Sequence, residues 1–214
     1  GQNGSVIQVQ NLTTASIQGF TLTNGNASLN NPFESVDTPL GGGIYIDNSQ
    51  IYLNNLIISN NNSNNKGGGI FVNNSQIDIS SVDILSNTAT IDGGGITIWN
   101  SEVNYDTGSI KNNVIENGSG GAGIYIASSE SQVNINNLII SMNSSLGSTD
   151  GNAIHLKSAG SLNINNSTIK MHVSNYGGAI YSGNTNLYIN NTNLTDNFAT
   201  GYGGAIYCSS VNNP

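Results

Sequence analysis

The chain has 214 residues, a formal net charge of −8, no arginine and only 7% charged residues, so nucleic-acid binding is close to excluded: Lys66, Lys111, Lys157 and Lys170 are too few to neutralise a phosphate backbone. The same scarcity of cations removes attraction to an anionic bilayer, and no apolar run approaches the roughly 20 residues of a membrane-spanning helix, so direct membrane insertion is not expected. A single cysteine, Cys208, excludes an internal disulfide framework.

Hydrophobic residues make up 36% of the chain, and regularly placed Ile and Val argue for a core rather than for disorder. In chain order, the first strand signal follows Gly4-Ser5-Val6-Ile7, and a second run, Ile17-Gln18-Gly19-Phe20-Thr21-Leu22-Thr23-Asn24-Gly25, comes next. The longest loop follows, at about 25–40, with Pro32, Phe33, Glu34, Asp37 and Pro39. Insertions in solenoids collect on one edge and often carry binding, so this loop is a candidate for a specific contact.

From Gly41 onward a glycine-rich tetrapeptide ending in Ile recurs, at Ile44, Ile70, Ile96, Ile124, Ile154, Ile180 and Ile206, in steps of 26, 26, 28, 30, 26 and 26 residues. Each period holds three short strand signals: Ile44-Tyr45-Ile46, then Ile51-Tyr52-Leu53, then Leu56-Ile57-Ile58, with echoes in every later period. Alternation of apolar and polar residues with many β-branched side chains reads as half-buried strand, and no segment keeps a helical period. One such unit cannot bury its own apolar face, whereas stacked coils about 4.8 Å apart can. The expected fold is all-β: a right-handed parallel β-helix of about seven coils of ~26 residues, three strands per coil, forming a single domain over 1–214.

Stacking predicts ladders. One runs through Ile7 and the seven repeat isoleucines; another runs through Val9, Ile46, Val72, Ile98, Ile126, Leu156, Ser182 and Cys208, which makes Cys208 a small core residue. A polar ladder comprises Asn61, Asn87, Asn113, Asn143 and Asn197, with His172 in the remaining place. Stacked amides can bond to one another and cap the backbone at a bend.

Gly-Gly-Ala-Ile at 177–180 and 203–206, with Ile/Leu-x-x-Asn in the third strand, resembles the GGAI and FxxN repeats of the polymorphic membrane proteins of chlamydiae and similar pectin-lyase-like β-helices of other surface proteins. Ile or Leu replaces the Phe of FxxN. The resemblance implies a β-helix and a surface-exposed adhesive or structural role, extracellular or at the cell surface.

Many parallel β-helices cleave polysaccharides, and this reading is weighed and set aside. Without arginine the base of a lyase would have to be Lys157, beside Ser158 and His155, with no carboxylate pair near it. Glycoside hydrolysis needs paired carboxylates on one face, whereas the third position after each ladder Ile carries Asp47, Asn73, Trp99, Ala127, Lys157 and Gly183. Asp92 and Asp150 share a position but lie two coils, about 10 Å, apart. No metal site or cofactor is expected, and His155 and His172 read as a surface and a ladder residue.

The residue after each ladder Ile is expected to face outward, giving a stripe of Tyr45, Phe71, Tyr125, His155, Tyr181 and Tyr207, with Trp99 beside the gap at Thr97. Such a stripe either strengthens the sheet by cross-strand stacking or docks sugar rings or a partner protein, the basis of an alternative reading as a carbohydrate-binding module. Tyr176 and Tyr202 could add to it. Eleven Asn-x-Ser/Thr sequons occur, close to the number composition alone would give. Asn11, Asn26, Asn73, Asn117 and Asn190 are the candidate glycan acceptors; Asn61 and Asn143 should stay bare inside the ladder. The chain opens beside a strand signal and stops in mid-coil, which suggests a segment of a longer protein or coils that stack end to end into a filament.

Overall fold

In the computed structural model, which describes residues 4–28, 40–147, 149–157, 160–183 and 185–209, the chain winds as an all-β parallel solenoid of about six turns. One face is an eight-stranded sheet built from Ile7–Gln10, Ile44–Asp47, Ile70–Asn73, Ile96–Trp99, Ile124–Ala127, Ile154–Leu156, Ile180–Gly183 and Ile206–Ser209. Its register sets every repeat Ile on the next, from Ile7↔Ile44 through Ile180↔Ile206. From Ile44 to Ile180 these side chains are buried, each contributing roughly 1.5–3 kcal/mol of hydrophobic stabilisation.

The second face divides differently from the expectation. The second and third strand signals of a coil fuse into one ten-residue strand, as in Gln50–Ser59, Gln76–Leu85, Glu102–Lys111 and Gln132–Ser141. A residue with positive φ bends each of them: Asn55, Ser81, Thr107, where Gly108 follows with φ of 134°, and Asn137. The bend lets one strand turn a corner of the solenoid without leaving its partner. In the following coils the strand is interrupted, into Ser161–Asn165 and Thr168–Lys170 and then Asn186–Asn190 and Asn193–Thr195. The third face consists of two-residue strands such as Asn62–Ser63, Thr88–Ala89 and Val114–Ile115. Two residues are too short to show periodicity, so these strands leave no periodic mark in the sequence.

The second predicted ladder is present too, Val9 to Leu156 in register and buried. Ser182 and Cys208 continue it, but Cys208 is exposed, because no further described coil lies over its strand. Cys208 thus keeps its ladder position but is exposed, not the core residue expected. The candidate loop residues Pro32, Phe33, Glu34, Asp37 and Pro39 lie outside the described residues.

The polar ladder lies in the interior. Asn61, Asn87, Asn113, Asn143 and His172 are all buried. Each asparagine from 61 to 113 donates its amide to the next coil's Oδ1 at 3.0 Å, and the same Oδ1 accepts the backbone N–H of the ladder residue below. The second amide hydrogen goes to a carbonyl of the preceding coil: Leu22, Ile58, Ile84 or Ile110.

His172 fits this chain only as a neutral imidazole. Nε2 lies 3.2 Å from the Asn143 amide and accepts from it, and Nδ1–H donates to Asn197 Oδ1 at 3.0 Å. Burial drives its pKa down to about 4, against a smaller opposing effect of the Asn197 hydrogen bond. Below pH 6.5 the unfolded imidazole takes up a proton that the folded one refuses. Stability from this site is thus full above pH 6.5, falls as pH drops towards 4 by roughly 3 kcal/mol, and levels below that. His172→Asn removes this dependence: in urea melts at pH 4 to 7.5 the wild type loses midpoint relative to the variant as pH falls. Parallel curves would disprove the neutral-imidazole ladder.

Candidate functional site

The face of the eight-stranded sheet that points away from the core carries the aromatic stripe, in two stacked runs either side of Thr97. Tyr45 and Phe71 stack with centroids 5.9 Å apart and planes 5° from parallel. After the Thr97 gap, Tyr125, His155, Tyr181 and Tyr207 follow at 5.4, 4.7 and 5.6 Å. Tyr176 and Tyr202 stack on each other at 5.8 Å and both approach Tyr207.

The stripe is not open to solvent along its length, which corrects the expectation of an exposed aromatic row. Phe71, Thr97, Tyr125 and His155 are buried, Tyr125 to 1% exposure, while Tyr45, Tyr181 and Tyr207 are partly buried. A second row covers them, four residues before each ladder Ile: Lys66, Asp92, Gly120, Asp150, Tyr176 and Tyr202. Backbone bridges Lys66↔Asp92 and Gly120↔Asp150 align this row coil to coil. The first glycine of each tetrapeptide takes a positive φ, 67° at Gly67, and folds the preceding chain back over the stripe; a Cβ there would lie 2.9 Å from that of Phe71. The sequence held a signal for this row, the shared register of Asp92 with Asp150 and of Tyr176 with Tyr202, but not for which way the turn folds.

The chemistry of the row is spent on inter-coil bonding. Asp92, 3% exposed, pairs with Lys66 Nζ at 2.5 Å through Oδ2 and accepts the Ser119 backbone N–H (2.9 Å) and hydroxyl (3.1 Å) on Oδ1. The Lys66 ammonium also sits 4.8 Å from the centroid of the Tyr125 ring. Thr97 donates its hydroxyl to the Asp92 carbonyl, and His155 Nδ1 lies 3.2 Å from the Asp150 carbonyl. Burial pushes Tyr125 up to about 12, helped by the nearby Asp92 charge. Burial also lowers the His155 pKa and raises that of Asp150. His155, read from the sequence as a surface residue, is a neutral ring packed between Tyr125 and Tyr181.

Trp99 departs from the stripe. It stands three residues after its ladder Ile, at the corner between the first two faces, with Asn73 on one side and Ala127 on the other, and is 43% exposed. Lys157, the only base the lyase reading had, is exposed one coil beyond Ala127. Among the described residues no three His, Cys, Asp or Glu side chains gather as metal ligands would.

The sequon asparagines separate by environment. Asn61 and Asn143 are buried, with both amide hydrogens engaged. Asn11, Asn117 and Asn190 are exposed; Asn26 and Asn73 are partly buried, and Asn73 donates to Asp47 Oδ1 at 2.8 Å.

A family model described as the Chlamydia polymorphic membrane protein (Chlamydia_PMP) repeat matches residues 191–209. That span holds the last ladder asparagine, Asn197, and the final Gly-Gly-Ala-Ile, so the matched unit falls within one rung's length of this solenoid. No curated protein and no solved structure matches the chain.

Proposed function

We propose that this chain is a non-catalytic β-solenoid of the cell surface, a structural or adhesive scaffold. The observation that carries the reading is the row over the stripe: its buried carboxylate, Asp92, is tied to Lys66 and Ser119 of neighbouring coils, so these ionisable side chains hold coils together. The match to a repeat of chlamydial polymorphic membrane proteins supports a surface or outer-membrane setting. Glycan or protein partners, and end-to-end association with further copies, belong to this reading as ways a scaffold is used.

Immunogold electron microscopy of intact source cells tests it, with label expected outside the outermost membrane. Label confined to the cell interior, or release of shortened chains when the purified protein is incubated with pectin-like or other acidic polysaccharides, would overturn it. In a host that glycosylates secreted proteins, glycopeptide mass spectrometry should find Asn11, Asn117 and Asn190 occupied. Asn26 and Asn73 should be occupied less, and Asn61 and Asn143 bare. Glycan on Asn61 would contradict the ladder register.

A further inference from the structure

The corner between the first and second faces carries a feature that the scaffold does not need. Asn11, Asn48, Asn74 and Asn100 occupy the same turn position in successive coils, each in the left-handed region with φ of 57°, 47°, 46° and 48°. All four are exposed. Their amides join in pairs along the axis, Asn48 donating to Asn11 Oδ1 at 2.7 Å and Asn100 to Asn74 Oδ1 at 2.6 Å. Each paired amide keeps hydrogen-bonding capacity directed to solvent.

Beneath this row runs a buried serine ladder that fixes it. Ser49, Ser75 and Ser101 donate their hydroxyls to the carbonyls of Asp47, Asn73 and Trp99. In turn Ser75 accepts the backbone N–H of Ser49, and Ser101 that of Ser75, both at 3.0 Å. The amides are therefore presented on a rigid edge and lose little freedom on binding. A shallow groove of about 330 Å³ lies against Asn11, Asn48 and Asn74, and the residues lining it carry no charge. At the next coil the row meets Trp99, whose ring is open because its neighbour in register is Ala127.

The geometry points to this corner as a docking track for a neutral polysaccharide lying along the solenoid axis. Hydroxyl-rich chains need groups that both donate and accept, which fixed amides supply and lysines or carboxylates do not. An exposed indole takes the apolar face of a sugar ring. The uncharged lining gives no counter-charge for a uronate or sulfate chain. Coils repeating at about 4.8 Å offer equivalent amides in succession, matching a polymer rather than a single sugar. The track deepens the scaffold reading and rests on it only in requiring that the bound chain is left intact.

Affinity electrophoresis of the whole chain, made in a host that adds no glycans, tests the track with β-glucan, galactomannan, xylan and dextran in the gel and alginate as the acidic counter-probe. At least one neutral polymer should retard the protein and alginate should not. Trp99→Ala should weaken that retardation tenfold or more, and Trp99→Phe should retain part of it. The double variant Asn48→Gly with Asn74→Gly, which keeps the backbone conformation and removes the amides, should weaken it several-fold, while Tyr188→Ala on the second face leaves it unchanged. Circular dichroism checks that each variant is folded. Retardation by none of the neutral polymers, retardation by alginate alone, or binding that survives Trp99→Ala overturns the track. Shortening of the polymer would instead overturn the non-catalytic reading.

Discussion

Asn87→Ala should lower the melting temperature by about 10 °C or more. The wild-type side chain is fully buried, accepts the Asn61 backbone N–H and amide at 3.0 Å each, and donates to the Ile58 carbonyl at 2.8 Å and Asn113 Oδ1 at 3.0 Å. Alanine leaves the Asn61 backbone N–H, the Asn61 amide and the Ile58 carbonyl without the Asn87 side chain, in a place water reaches poorly, while Asn113 Oδ1 keeps the backbone N–H of residue 87. Each buried orphan costs about 1–3 kcal/mol, and partial relaxation brings the total to roughly 3–6 kcal/mol. For a chain of this length each kcal/mol moves the midpoint by about 2–4 °C. Asn87→Asp should be comparably harmful at pH 7, since its carboxylate would face Asn113 Oδ1 and the Ile58 carbonyl, and should recover as acid protonates it. Asn100→Gly, at an exposed left-handed turn, is the control and should stay within about 1 kcal/mol of the wild type. An Asn87→Ala protein that melts with the wild type would show that the ladder is incidental to stability.

The same ladder shows what the sequence could reveal. A residue that must occupy one place in every coil leaves its mark at a fixed spacing, so Asn61, Asn87, Asn113, Asn143 and Asn197 were legible, as were the repeat isoleucines. Even the exception at His172 could be placed, because register locates a residue whatever its type. What could not be read was direction. The residue after each ladder Ile does point away from the core, yet Phe71 and Tyr125 are buried, because the glycine turn carries Lys66 and its equivalents back across them. Periodicity reports which residues share a face; it does not report whether a turn lies over that face.

The 39 asparagines also have a physical explanation that composition alone did not provide. Left-handed backbone recurs at Asn48, Asn74 and Asn100, at Asn55, Asn137, Asn166 and Asn191, and at Asn60 and Asn112. Asn tolerates this region better than other residues with side chains. Asparagine therefore serves at the corners as well as in the ladder, which a sequence without backbone angles cannot separate. Where Thr107 takes the same conformation at a corner, with φ of 58°, a β-branched side chain is held where it fits poorly.

That corner adjoins the one place where the core departs from its own pattern, and the departure predicts strong coupling. Leu56, Val82, Gly108 and Leu138 share a register position, so glycine stands where every neighbouring coil has a large apolar side chain. Three residues earlier, where the other coils carry Leu53, Ile79, Ile135 and Ile164, stands the fully buried Tyr105. Its hydroxyl donates to the Val82 carbonyl at 2.6 Å, and a Cβ on Gly108 would lie 1.9 Å from that same oxygen. The large ring occupies space that the missing side chain leaves, and the glycine, with φ of 134°, allows the approach. Tyr105→Ile alone should cost about 2–4 kcal/mol through an unfilled cavity and the lost hydrogen bond. Gly108→Val alone should cost about 3 kcal/mol or more, from overlap with the Val82 carbonyl and from a β-branched residue at that φ. Made together, the two changes restore the pattern of the adjoining coils, and the double variant should be at least 2 kcal/mol more stable than the sum of the single effects predicts. Urea melts of all four proteins measure that difference. Simple additivity would mean that Tyr105 and Gly108 settled into their places independently, and that the coil tolerates each without the other.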